Sequence, residues 1–146
     1  FVGYAQWTCE NSRDEDKRQR ALELGADLAV ETGARLPGKC DLVIETVGDA
    51  TWAHSLRALR PGGRIVVSGA TSGPNPPADL NRVFFLQLSV VGSTMGTREE
   101  LISLVGMLVA TGVRPYIDRS LPLADAAAGF AAMIAGDHFG KIIFEP

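Results

Sequence analysis

The stretch DLVIETVGDATWAHSLRALRPGGRIVVSGATSG, Asp41 to Gly73, carries the reading of the fold. Its first seven residues are apolar and β-branched enough for a strand buried on both faces, ended by Gly48. Asp49 stands where it can cap a helix in which Trp52, Leu56 and Leu59 recur at i, i+4 and i+7, and Pro61-Gly62-Gly63 forbids that helix to continue. RIVVS, Arg64 to Ser68, is the next buried strand. The loop behind it holds Ser, Gly, Ala and Thr and no charge. Strand, helix and strand in this order make a parallel βαβ unit.

The alternation continues on both sides. Upstream, FVGYAQWTCEN (1–11) mixes aromatic and polar residues without clean alternation and reads as an irregular strand. Ser12 with Glu15 predicts a capping box for a helix over 13–24 that Gly25 ends, with acidic residues at 14–16 in its first turn. Leu28 to Val30 is a short apolar patch. Downstream, GPNPPAD leads through Asp79 into a short helix around Val83 to Leu86, and Leu88 to Ser93 reads as a strand. Thr97 and Glu100 repeat the capping box ahead of Leu101, Leu104, Val105 and Leu108, and Gly112 stops that helix. A strand near Tyr116 to Arg119, an alanine-rich helix from Asp125 to Ala135 with Phe130, Met133 and Ile134 as its core face, and a last strand KIIF complete the pattern. The expected fold class is α/β, with helices on both faces of an open, mostly parallel sheet.

Bulk properties narrow the function. With 46% hydrophobic and 21% charged residues the 146-residue chain is an ordinary globular one, and a net charge of -3 without a Lys/Arg run gives no footprint for nucleic acid or an anionic membrane. No apolar run approaches the ~20 residues of a membrane span, and the expected location is the cytoplasm. Cys9 and Cys40 are too few and too far apart for a zinc cluster or a disulfide framework and read as structural thiols.

In open parallel sheets ligands bind outside the carboxyl ends of the strands. Small uncharged residues there let a flat ligand lie against main chain, which fits Ser68, Gly69, Ala70 and Thr71; the plainer alternative is a tight loop whose hydroxyls serve its own turn amides. Thr46, Val47 and Gly48 close a second such edge, and Gly92, Ser93 and Thr94 a third. In SRDEDKR, Ser12 and Arg13 at a helix start can grip a phosphate with Lys17 and Arg18 nearby, or the segment is simply a solvated, capped helix start, a reading that its three acids favour. Neither His54 nor His138 has a second ligand at metal spacing, no carboxylate pair suggests acid/base work around Asp41, Glu45 or Asp49, and no GxSxG, GxGxxG or GxxxxGK[ST] occurs. No catalytic and no metal-binding residue is assigned.

Together, DKRQRALELGAD, the 41–73 stretch, LSVVGSTMGTREEL and HFGKIIFEP, in this order over residues 12 to 146, resemble the cofactor-binding half of medium-chain dehydrogenases/reductases, the zinc-type alcohol dehydrogenase and quinone oxidoreductase superfamily. The resemblance implies a Rossmann-like, doubly wound sheet holding NAD(P), hydride transfer to or from an alcohol, quinone or enoyl/carbonyl substrate, and a homodimer joined through the edge strand 88–93. It places Ser12, Arg13 and Lys17 at the adenosine ribose, where Ser-Arg favours a 2′-phosphate and hence NADP over NAD. It places Thr46, Val47 and Gly48 beside adenosine and ribose, Ser68, Gly69, Ala70 and Thr71 by the nicotinamide, and Ser93 and Thr94 at the next wall.

The departures carry expectations too. The family's glycine-rich strand-turn-helix has no counterpart here, nor has the domain that supplies substrate contacts and, in some members, zinc. The segment 1–11 does not resemble the family's second strand. The chain is therefore expected to be a fragment: a partial dinucleotide-binding domain over 12–114, then a segment over 115–146 returning to the domain not present, with weak NADPH binding and no turnover on its own. Two other classes remain, an S-adenosylmethionine-dependent methyltransferase, which shares the strand-helix-LRPGGR-strand pattern, and a non-catalytic dimerisation or binding module.

Overall fold

The computed structural model describes residues 8–146, so the reading of residues 1–7 as part of an irregular strand lies outside the described residues. The chain forms two compact units that divide between Met95 and Gly96. The first holds β1 (Cys9–Asn11), α1 (Glu15–Glu23), β2 (Leu28–Val30), β3 (Cys40–Glu45), α2 (Asp49–Ala58), β4 (Leu59–Val67), α3 (Leu80–Phe85) and β5 (Ser89–Gly92). The second holds α4 (Arg98–Thr111), β6 (Ile117–Pro122), a 3-10 turn (Leu123–Asp125), α5 (Ala126–Ala135) and β7 (Lys141–Glu145).

Every strand pair is parallel, as the βαβ pattern requires. In the first unit the strands form two separate sheets, β1-β2 and β3-β4-β5. A doubly wound sheet runs 3-2-1-4-5-6, and β2, β1, β3, β4 and β5 take places three, two, four, five and six. β1 thus holds the second place, against the expectation that the segment 1–11 does not match the second strand. No strand among the described residues takes place one, between β1 and β3, so the sheet is Rossmann-like and incomplete.

The core follows the α2 stripe. Leu56, Leu59, Ile65 and Leu88 are buried together, with Val43, Trp52, Val67, Val83 and Leu86 packed around them. Burying side chains of this size contributes about 1.5–3 kcal/mol each. All of this lies on one face. The expectation that β3 is buried on both faces fails: Ile44, paired with Val66 and through it Val91, is 45% exposed, and Leu42 and Val91 are exposed too. The helices that build this core, α2 and α3, cover the Val43–Ile65 side only.

Local readings also shift. The helix of the opening stretch ends at Ala58, three residues before Pro61, because Leu59 is already extended (ψ 141). Pairing then jumps from Cys40↔Leu59 to Leu42↔Arg64, so Arg60 to Gly63 bulge out of the ladder, and Gly62 N donates to Leu86 O at 2.8 Å. The cap of α2 is Gly48, not Asp49. The cap of α1 is Asp14, whose carboxylate accepts from Lys17 N, while Ser12 Oγ accepts from Asp14 N; the expected Ser12–Glu15 box is not formed.

In the second unit the Thr97–Glu100 capping box is present and Gly112 ends α4 in the left-handed region. The predicted core face of α5 holds only in part: the Phe130 ring lies 5.7 Å from that of Phe144. Phe130 and Met133 are exposed and Ile134 is 84% exposed, whereas Gly129 is buried against Phe144 and Leu121 of the β6-β7 pair. Close approach of helix to sheet needs the smallest residue inward and leaves Phe130 at the margin of the contact and Ile134 outside it. Among the described residues no helix is long and apolar enough to cross a membrane.

Candidate functional site

Because β3, β4 and β5 are adjacent and parallel, their carboxyl ends emerge along one edge, which brings Thr46–Gly48, Ser68–Thr71 and Ser93–Thr94 together. The ladders run on past the strand ends: Ser68 N donates to Glu45 O and Ser93 N to Val67 O, both at 2.9 Å. Thr46, Ser68, Ala70, Thr71, Ser93 and Thr94 are exposed, Val47 and Gly69 half-buried, and Gly48 buried.

The first two rims are locked to each other. Ser72 N and Ser72 Oγ both donate to Val47 O at 2.7 Å, Asp49 N donates to Gly73 O at 3.1 Å, and Ala50 N to Ser72 Oγ at 3.0 Å. Gly48 sits at φ +91, and a Cβ there would stand 2.3 Å from Gly73 O; a Cβ on Gly69 would stand 2.8 Å from Thr46 O. These two small residues are required by main chain lying on main chain. A ligand is not needed to explain them: their size has a structural cause, which is the plainer alternative that the sequence left open at this loop. The exposed hydroxyls and Ala70 are not used up in this way.

Beneath the first rim lies a residue that sequence reasoning passed over. Glu45, the last residue of β3, is only 3% exposed. Its Oε1 accepts from Val47 N (2.8 Å), Gly48 N (3.1 Å) and Thr51 Oγ1 (2.8 Å), and its Oε2 accepts from Ser55 Oγ (2.5 Å). Burial pushes the carboxyl pKa up, but the hydrogen bonds from Ser55, Gly48, Thr51 and Val47 outweigh it and hold the group below its usual value. A signal was available: Thr51 and Ser55 lie four apart on the buried side of α2, one turn of polar residues aimed at the sheet.

Ser12, Arg13 and Lys17 follow β1, in the other sheet. Ser12 Oγ accepts from Asp14 N at 3.1 Å, which leaves its own proton to donate. Arg18, named with them, donates instead to Ser12 O at 2.6 Å and pairs with Glu15. Arg13 is exposed, and among the described residues it enters no hydrogen bond or ion pair. No hydrogen bond among the described residues ties this turn to the other three edges.

The remaining polar groups are structural in their contacts. A cavity of about 490 Å³ is lined by 33–39, His54, Arg57 and Ala58 and shares no residue with the rims. There His54 Nε2 donates to Ala34 O and Lys39 Nζ to Arg57 O, so two of its donors already serve carbonyls. Asp41 pairs with Arg60. Cys9 and Cys40 are free thiols, both pushed up by burial. Among the described residues no three His, Cys, Asp or Glu side chains cluster to hold a metal ion.

A family model described as zinc-binding dehydrogenase matches residues 18–144. A zinc-type alcohol dehydrogenase-like protein, YogA, of Leptosphaeria maculans is 29% identical over 92% of this chain and 42% of its own length. A quinone oxidoreductase of Pseudomonas aeruginosa is 28% identical, over 98% and 44%. An NADP-dependent oxidoreductase, RED1, of Cochliobolus heterostrophus is 29% identical, over 75% and 35%. The solved structure of an NAD-dependent alcohol dehydrogenase superposes with a TM-score of 0.83 at 29% identity, covering 94% of this chain and 43% of that one. The chain spans less than half the length of each of these proteins.

Proposed function

This chain belongs to the zinc-binding dehydrogenase family, within the medium-chain dehydrogenase/reductase superfamily, and from that premise we propose that it supplies the cofactor-binding edge of an oxidoreductase that uses NADP(H). The observation that carries this reading is the row of three neighbouring carboxyl edges whose hydroxyl and small side chains remain exposed above a braced main chain. When bound, the cofactor supplies the hydride, exchanged with an alcohol, quinone or enoyl/carbonyl substrate held by other parts of the whole protein.

The residues present fit that cofactor. Arg13, exposed and without an ion pair among the described residues, and the Ser12 hydroxyl would donate to the 2′-phosphate, with the Lys17 charge nearby in the sequence. Thr46, Val47 and Gly48 would hold adenosine and ribose, Ser68, Gly69, Ala70 and Thr71 the nicotinamide, and Ser93 and Thr94 would supply the next wall. An NADP-dependent relative supports the choice, while the NAD-dependent structure marks the alternative. No three-ligand cluster among the described residues fits zinc. The named relatives are dehydrogenases and reductases and lend nothing to the methyltransferase reading. The edge strand β5, with Val90 and Val91 exposed, is proposed as the joint of a homodimer.

Titration of the chain with NADPH and NADH, followed by nicotinamide fluorescence, tests the reading. Weak, saturable binding is expected, favouring NADPH by about tenfold, and Arg13→Ala should remove that preference because a charge-assisted phosphate contact is lost. Tight S-adenosylhomocysteine binding with none of NADPH would overturn it.

A further inference from the structure

We propose that Glu45 is a positioning residue of the cofactor edge: its buried carboxylate fixes the Val47–Gly48 main chain and thereby sets where the Ser68–Ser72 loop stands. This role rests on the functional reading above and goes beyond it, since Glu45 is not itself among the proposed cofactor contacts but holds two of them, Val47 and Gly48, by their amides.

The geometry forms one continuous chain of bonds. Thr51 and Ser55 of α2 hold the carboxylate from below, and the carboxylate takes the Val47 and Gly48 amides. With that peptide direction set, Val47 O points to the neighbouring loop, where Ser72 N and Ser72 Oγ both donate to it, and Ser72 Oγ in turn accepts from Ala50 N at the start of α2. The bonds close a ring from helix to strand end to loop and back to the helix. All four partners of Glu45 are donors, so the site calls for an acceptor with two oxygens, and a carboxylate meets it completely. An exposed loop of small residues has few apolar contacts with which to hold a position. Here a buried ion does so instead.

The test uses the full chain with Glu45→Gln, Glu45→Ala and Ser72→Ala, read by residue-level amide exchange and by NADPH titration. Gln keeps an oxygen for Val47 N, Gly48 N and Thr51 Oγ1, and its amide can donate to Ser55 Oγ, so exchange at Ser72 N and NADPH affinity should stay within about twofold of wild type. Ala should speed exchange at Ser72 N about tenfold more than exchange in the β4 ladder, and weaken NADPH by about tenfold. Ser72→Ala, at an exposed position, should weaken NADPH about threefold with an unchanged thermal midpoint. If Glu45→Ala does not fold, the Ser72→Ala and Glu45→Gln results decide. Equal acceleration at Ser72 and throughout β4 would make Glu45 a purely structural residue and overturn the role, as would unchanged NADPH affinity in Ser72→Ala. A wild-type chain that binds no NADPH overturns the functional reading and this role together; a wild-type chain that binds while Glu45→Ala binds equally well overturns this role alone.

Discussion

The turn after β1 and the turn after β3 occupy equivalent places, each carrying the chain from the carboxyl end of a parallel strand into a helix, yet they are held in different ways. After β3, a buried carboxylate takes two amides and the loop beyond β4 lies against the turn main chain to main chain. After β1, an exposed Asp14 caps α1 and Arg18 reaches back to Ser12 O, while towards the neighbouring strand end Ser12 N donates to Val30 O at 3.0 Å and Thr32 Oγ1 to Asn11 Oδ1 at 3.3 Å. A loop with a partner strand's loop beside it becomes part of a common structure. After β1 the neighbour gives one ladder bond and one side-chain bond, and the turn depends mainly on its own helix.

The sharpest way to break that contrast is Gly48→Val. It forces a β-branched residue to φ +91 and drives its Cβ into Gly73 O, so both strain and a main-chain clash act at once. We expect a loss of about 3 kcal/mol or more in denaturant unfolding, felt through the whole β3-β4-β5 sheet. A loss under about 1 kcal/mol would mean that the two rims do not brace each other.

Acid supplies a second, smaller lever. The Glu45 carboxyl lies below its usual value of 4.5 in the folded chain, so its contribution is fully present above that usual value and is lost as pH falls from there through the lower folded value. Unfolding measured between neutral and strongly acidic pH should therefore show a stability increment disappearing below about pH 4.5 that Glu45→Gln lacks. Identical acid profiles for the two chains would place the charge elsewhere.

What could be read in advance divides along the same line. The Thr97–Glu100 box, the Asp79 lead into α3 and the strand-helix-strand core of 41–73 were legible because each depends on residues close in sequence. The three adjacent carboxyl edges followed from parallel order alone. Glu45 was not legible as a network centre, because its meaning lies in Ser55, ten residues on, and its effect in Ser72, beyond the next strand. The inward face of α5 was legible only in part for a related reason. A helix of alanines offers no large residue that must be buried, so the sheet it packs on decides, and it selects Gly129 over Phe130. At α1 the difficulty was local: Ser12 and Asp14 are both good caps, and the carboxylate that reaches Lys17 N takes the role while Ser12 turns to Asp14 N.

That competition gives the smallest and most local expectation. Asp14→Ala removes the acceptor of Lys17 N and one favourable charge at the start of α1, a change of about 1 kcal/mol in a helix that has no buried residue. Because nothing beyond α1 leans on Asp14, the loss should show as faster amide exchange within Glu15–Glu23, with the β3-β4-β5 ladder unaltered. Exchange that rises in both sheets together would show the β1 turn to be coupled to the braced rims after all, and the contrast between the two turns would then be one of degree.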